Sequence, residues 1–186
     1  MTGEPRPPTT LTFEEYLKFE ELSEERHEFV AGTVFVTSGS TEAHDLTAQA
    51  IFTRLQAPFR ARECRTFVFN RKLKAGESAY YPDVFVTCTP IAAGQYETDA
   101  AWVIEVLSDS TELHDWREKV AAYALLPSLR GYLIVDPDWE QARLARRTPD
   151  GWLWYQYGPR FMIDLDGVQL DLGEVFAEVR ETRVSE

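Results

Sequence analysis

The chain has 186 residues, a formal net charge of -12 and two cysteines. That length favours one domain with a sizeable core, and 44% hydrophobic with 27% charged residues excludes a disordered chain. No apolar run reaches transmembrane length, and the acidic balance argues against a protein that holds nucleic acid by bulk charge alone.

Residues 1–10 carry Gly3, Pro5, Pro7 and Pro8 and no apolar stretch. They read as a flexible tail rather than a signal peptide. Residues 11–180 read as a single domain and 181–186 as a C-terminal tail. Leu11 to Leu22 is predicted as a helix, opened by the capping-box pair Thr12 and Glu15 and carrying Phe13, Tyr16 and Leu17 as its apolar stripe. His27 to Val30 and Thr33 to Thr37 form a hairpin about Ala31-Gly32. A second helix runs from Glu42 to Gln56, with Ala48, Ile51, Phe52 and Leu55 on one face and Pro58 as its stop. His44 lies at its start on the same side, where a histidine serves as a cap or a satisfied partner or has a functional role.

Arg65 to Leu73 reads as one strand and Lys74 to Ser78 as a turn. Arg54 to Lys74 holds seven bases against one acid, so this segment is either a local basic surface or an ordinary solvated face. Cys64 and Cys88 are expected as reduced thiols of a cytoplasmic protein. Residues 81–86 read as a strand and Pro90 to Thr98 as a loop, followed by a nearly continuous apolar strand over 101–108. A third helix, about Glu112 to Leu126, has Leu113, Trp116, Val120 and Tyr123 as its buried stripe. Lys119 falls about 80° from the centre of that stripe. Gly131 to Val135 is a further buried strand, which predicts a parallel pair with the strand before the helix. Arg143 to Arg147, Trp152 to Tyr155, Phe161 to Leu165 and Val168 to Leu172 read as antiparallel strands, closed by a short helix near Val175 and Phe176.

Two strands each carry one acid where a core residue would normally stand. Asp83 follows Pro82 at the head of one, and Glu105 sits in the middle of the other. An uncompensated carboxylate there would cost several kcal/mol, on the order of the desolvation of a buried polar group or more. Either the two acids converge on a metal ion, for which hard oxygen ligands suit Mg²⁺, or Asp83 belongs to a Pro-Asp turn and Glu105 pairs with an arginine.

Pro82-Asp83 followed by Glu105-Val106-Leu107-Ser108 resembles the PD-(D/E)XK nuclease superfamily. More narrowly, the chain resembles the Uma-type restriction endonucleases of bacteria. Phe13-x-x-Tyr16, Glu28-x-x-x-Gly32, His44, Ser110-Thr111, Asp115, Lys119, Tyr123 and Tyr132 to Asp136 extend the likeness. It implies an α/β restriction-endonuclease-like core, a mixed sheet flanked by helices, with antiparallel C-terminal strands. It implies Asp83 and Glu105 as ligands of Mg²⁺ or Mn²⁺, with the Val106 carbonyl as a third, and Glu28 and His44 beside the site. It further implies DNA as substrate (RNA is the other choice), no membrane association and a homodimer. The superfamily places a lysine two residues after the glutamate, where this chain has Leu107. Lys119 on the following helix is the candidate replacement. A second reading keeps the fold without cleavage, as a nucleic-acid-binding or regulatory module.

Overall fold

The computed structural model describes residues 10–37, 39–90, 94–108 and 115–183. Residues 1–9 of the expected tail, the Ser110-Thr111 pair and Leu113 of the expected third-helix stripe lie outside them.

The N-terminal third follows local sequence rules. Helix α1 (Phe13–Leu22) opens on the predicted capping box, the Thr12 hydroxyl accepting from Glu15 N and the Glu15 carboxylate accepting from Thr12 N. Strands β1 (His27–Val30) and β2 (Thr33–Val36) pair antiparallel. Their two-residue turn has positive φ at both Ala31 (+44°) and Gly32 (+96°), which matches the right-handed twist of the strands. Helix α2 (Glu42–Arg60) is capped by Thr41 and runs past Pro58, contrary to the sequence expectation. Pro58 falls in the last turn, and burial of Phe59 beside it, about 2–3 kcal/mol, offsets much of the cost of a proline there.

The expected strand 65–73 is two strands. β3 (Arg65–Val68) ends at Phe69, whose φ is +55°, and β4 (Lys72–Ala75) joins a different sheet. Then come β5 (Ser78–Tyr80), β6 (Val84–Thr87), β7 (Tyr96–Glu97), β8 (Trp102–Val106), α3 (Asp115–Tyr123) and β9 (Gly131–Asp136). The short β7 lies inside the predicted loop, paired parallel to β4. β10 (Gln141–Thr148), β11 (Gly151–Tyr157), β12 (Met162–Leu165), β13 (Val168–Asp171) and α4 (Leu172–Arg183) complete the chain. The last helix is longer than expected.

Two main sheets result. One has the order β2-β1-β5-β4-β7 and the other β11-β10-β9-β8-β6-β3, with β12 and β13 as a separate hairpin. The predicted parallel pair is β8 with β9, and the C-terminal strands are antiparallel. The mixed sheets flanked by helices give the α/β architecture expected from the sequence.

The six-stranded sheet is covered on both faces, which is why its central strands read as unbroken apolar runs. Val84, Val86, Trp102, Ile104, Leu133 and Val135 pack with α2, α4 and the β12–β13 hairpin. Phe85, Val103, Tyr132 and Ile134 face the other way, onto α3 and β4–β5. A Cβ at Gly131 would collide with the Trp102 ring, so glycine is required where that indole crosses β9.

Cys64 and Cys88 form a disulfide, against the expectation of free thiols. β3 and β6 pair with Arg65 opposite Thr87, so the two cysteines stand opposite one another one step beyond the ladder. Only the strand register reveals this proximity.

Candidate active site

The register of β6 on β8 pairs Val84 with Ile104 and Phe85 with Val103. One step further brings Asp83 opposite Glu105, so both carboxylates belong to one face of the sheet. This is the face that carries Phe85, Val103 and Tyr132, not the face that meets α2. The Pro82 bond keeps the preceding backbone extended and delivers Asp83 at the strand end. There its Oδ2 accepts from the Val106 N–H at 2.7 Å.

A cleft of about 670 Å³ opens at this point, lined by Glu28, His44, Asp83, Glu105, Val106 and Lys119 among others. All six residues singled out from the sequence therefore meet in one place. α2 supplies His44, whose Nε2 lies 3.1 Å from Asp83 Oδ2 and whose Nδ1 lies 3.1 Å from Asp45 Oδ1. Burial disfavours the charged imidazole, but the hydrogen bond and charge of Asp83, with those of Asp45, outweigh it and raise its pKa to about 9. His44 is thus an imidazolium that donates from both nitrogens.

β1 supplies Glu28 and α3 supplies Lys119. The ammonium donates to Glu28 Oε1 at 3.0 Å and lies 3.8 Å from Glu105 Oε1. Tyr81 N–H also donates to Glu28 Oε1, at 3.4 Å. Glu105 is buried and accepts from the Tyr123 hydroxyl at 3.0 Å. Burial is the main cause that raises its carboxyl pKa, to about 8. Lys119 opposes the rise, the charges of Asp83 and Glu28 add to it, and the Tyr123 hydrogen bond opposes it. Leu107, at the usual lysine position, is packed against the core cluster around Tyr123.

The sequence did not assign the supports behind these groups. The Tyr81 hydroxyl donates to Glu20 of α1 at 2.7 Å, and Glu20 also lies 3.0 Å from His27 Nδ1. This network fixes the residue two before Asp83 from a helix far away in sequence. Its signal was weak: Glu20 follows the helical spacing of the α1 stripe, which buries a glutamate. Tyr123 was legible as a stripe residue, but its hydroxyl contact was not.

The basic segment is not one continuous surface. Arg65 and Arg71 both pair with Glu97, which is 1% exposed. Arg54 pairs with Glu174 and Glu178, Arg62 donates to the carbonyls of Asp166 and Gly167, and Lys72 is buried 3.9 Å from Glu20. These bases hold the fold together by internal pairing. Within this segment Arg71 is thus paired with Glu97 and Lys72 is buried, so the two do not form an open basic surface.

Among the described residues, no group of three histidine, cysteine or acidic side chains is arranged as a ready-made metal site. The Asp83–Glu105 pair nevertheless fits Mg²⁺ or Mn²⁺. Two oxygen donors on one face suffice for a cation that keeps most of its waters, and the burial and like charges that raise the Glu105 pKa are what a cation would offset.

A mixed sheet flanked by helices, with opposed strand acids and a lysine in a cleft, defines a restriction-endonuclease-like fold. Residues 13–180 match the model of the family described as "Uma2: Putative restriction endonuclease", and the chain belongs to that family. It is similar to the uncharacterized Synechocystis protein slr1290, with 31% identity over 86% of this chain and 87% of the relative. It is also 30% identical to sll1609 of the same organism, over 68% and 75% of the two chains. The crystal structure of a protein described as a putative nuclease of DUF820, from Anabaena variabilis, superposes with a TM-score of 0.75. That match covers 91% of this chain and 99% of the other at 16% identity, and it establishes the shared fold. No helix among the described residues is long and apolar enough to cross a membrane.

Proposed function

We propose that this chain is a metal-dependent endonuclease that hydrolyses phosphodiester bonds in DNA. The observation that carries this reading is the meeting of Glu28, Asp83, Glu105 and Lys119 in one cleft. Asp83 and Glu105 would hold Mg²⁺ or Mn²⁺, with the Val106 carbonyl as a third oxygen. The bound cation supplies Lewis acidity towards the phosphate and a lowered pKa for the attacking water.

The chain's own residues do the rest. His44 fixes the orientation of the Asp83 carboxylate through Nε2. Tyr123 does the same for Glu105. Lys119, steadied by Glu28, presents an ammonium that stabilises charge developing on the phosphoryl oxygens. It takes the place of the lysine that Leu107 replaces. Water adds to phosphorus, the bond to the leaving oxygen breaks, and that oxygen takes up a proton.

The test is Mn²⁺-dependent nicking or cutting of plasmid DNA. Asp83→Asn and Glu105→Gln should lose both cleavage and Mn²⁺ binding. Lys119→Ala should lose cleavage while retaining the metal. Cleavage by Lys119→Ala at the wild-type rate would remove Lys119 from the chemistry. A second reading, a non-catalytic module on the same fold, draws on Leu107 at the usual lysine position and on the net charge of -12. It predicts metal and nucleic-acid binding with no cleavage by the wild-type protein. Two cuts across a duplex need two sites, so the nuclease reading includes a homodimer.

A further inference from the structure

From the position of β11 at the end of the six-stranded sheet, we infer that this strand is the surface through which two copies of this chain associate, by antiparallel pairing of β11 with β11 about a two-fold axis. This names the surface of the homodimer in the reading above, but it stands on separate observations.

Among the described residues β11 has β10 as its one strand neighbour, so its other edge ends the sheet. Residues 152–157, Trp-Leu-Trp-Tyr-Gln-Tyr, contain no charge and no proline. Proteins protect sheet edges with lysine, proline, bulges or very short strands. β11 is seven residues long and carries none of the first two within this run. An apolar band runs along it. Leu153 and Tyr155 are 52% and 43% exposed, and Phe161 is 56% exposed. The Tyr155 and Tyr157 rings lie 6.4 Å apart and Tyr157 and Phe161 6.1 Å, so the band is continuous.

The occupant that fits is a second copy. Leu153, Tyr155 and Tyr157 alternate onto one face of the strand. A two-fold axis at Tyr155 sets Tyr155 against itself and Leu153 against Tyr157 of the second copy, and extends the band through both molecules. An axis at Trp154 instead sets Leu153 against Tyr155. In either register every opposed pair within 152–157 is uncharged, which matters for two molecules that each carry a net charge of -12. The half-exposed side chains and the paired backbone offer on the order of 300–500 Å² on each copy. Two copies together then fall in the weak, micromolar class of specific association, whose lower bound is roughly 1,000 Å² or less.

Sedimentation velocity of the full chain tests this, from about 1 to 100 µM, the range that brackets a micromolar association. The wild type should sediment at twice the 21.4 kDa chain mass, and Leu153→Lys/Tyr155→Lys at the single-chain mass with unchanged circular dichroism. A wild type that is monomeric throughout, or a folded double variant that remains dimeric, overturns the inference. If the variant fails to fold, hydrogen exchange of the wild type decides. Amides of 152–157 should be more protected at high than at low protein concentration, and protection independent of concentration overturns the inference. Plasmid cleavage is read separately, so an inactive dimer overturns the nuclease reading alone and an active monomer overturns this one alone. A wild-type monomer whose β11 is captured by an unrelated extended peptide counts against self-pairing.

Discussion

Tyr123 shows how one hydroxyl tunes the candidate site. Its O–H donates to a buried carboxylate that already feels the negative charges of Asp83 and Glu28. Tyr123→Phe deletes that donor and leaves the ring in the core. Groups that orient a metal ligand are worth about 10- to 100-fold in affinity, so Mn²⁺ binding by calorimetry should weaken by about tenfold while the fold persists. Unchanged affinity would take Glu105 out of the metal site. The same acids set a pH dependence. In metal-free protein burial pushes the Glu105 carboxyl up from its ordinary 4.5 to about 8, and Asp83 with Asp45 pushes the His44 imidazolium up from 6.5 to about 9. The folded state therefore binds more protons than the unfolded state between those limits, and stability falls as pH rises. Thermal midpoints in EDTA should drop from about pH 4.5 to about pH 9, the window these shifts define. Asp83→Asn, which removes the partner of His44 and a like charge near Glu105, should flatten the drop. A midpoint that rises with pH would contradict both assignments.

Among the elements, β3 is held by two cross-links of different kinds, one to the end of β6 and one to β7. Cys64–Cys88 closes a 24-residue separation, and chain-entropy arguments give about 3 kcal/mol for a loop of that length. Reduction should lower the denaturation midpoint in urea accordingly, and no change would show that the bridge adds nothing to stability. Glu97 on β7 gathers Arg65 from β3 and Arg71 from the connection to β4. Removing a buried partner from such a cluster costs about 3–5 kcal/mol, whereas the exposed Glu174 pairing with Arg54 is worth at most about 1 kcal/mol. Glu97→Gln should therefore destabilise far more than Glu174→Gln, and equal losses would mean that Glu97 is as solvated as Glu174. These cross-links also mark where the sequence was hard to read. Strand alternation was legible because the central strands are buried on both faces and rich in β-branched residues. The break at Phe69 was not, because a positive φ at phenylalanine has no compositional signal. The arginines at 65 and 71 looked like surface charge until the sheet order brought Glu97 between them.

For the molecule as a whole, the site is assembled from four distant parts of the chain. β1, the start of α2, the β6–β8 pair and α3 meet only when both main sheets have formed. Asp83, Glu105 and Lys119 could be nominated from the sequence because each breaks an apolar pattern or flanks one. Their distances could not, since these depend on the β6–β8 register and on the seating of α3. A cation bound here is therefore coupled to global stability. At 100 times its dissociation constant a ligand of the folded state adds about 2.7 kcal/mol. Saturating Mn²⁺ should raise the thermal midpoint of the wild type and leave that of Asp83→Asn unchanged. An equal rise in both would mean that the ion binds elsewhere.

The ammonium in the cleft comes from a helix, whereas the two opposed acids come from the sheet. Leu107 lies two residues beyond Glu105, on the same side of the backbone by strand periodicity. Leu107→Lys would bring a second ammonium towards three carboxylates, an excess of negative charge that can accommodate it. A chain with both lysines is then a viable halfway house, and Lys119 becomes expendable once the strand carries its own ammonium. On the proposed function, the charge that Lys119 supplies could thus pass from one element to another by two single substitutions, with cleavage expected at each step. Partial recovery of cleavage in Leu107→Lys/Lys119→Ala would demonstrate that exchange.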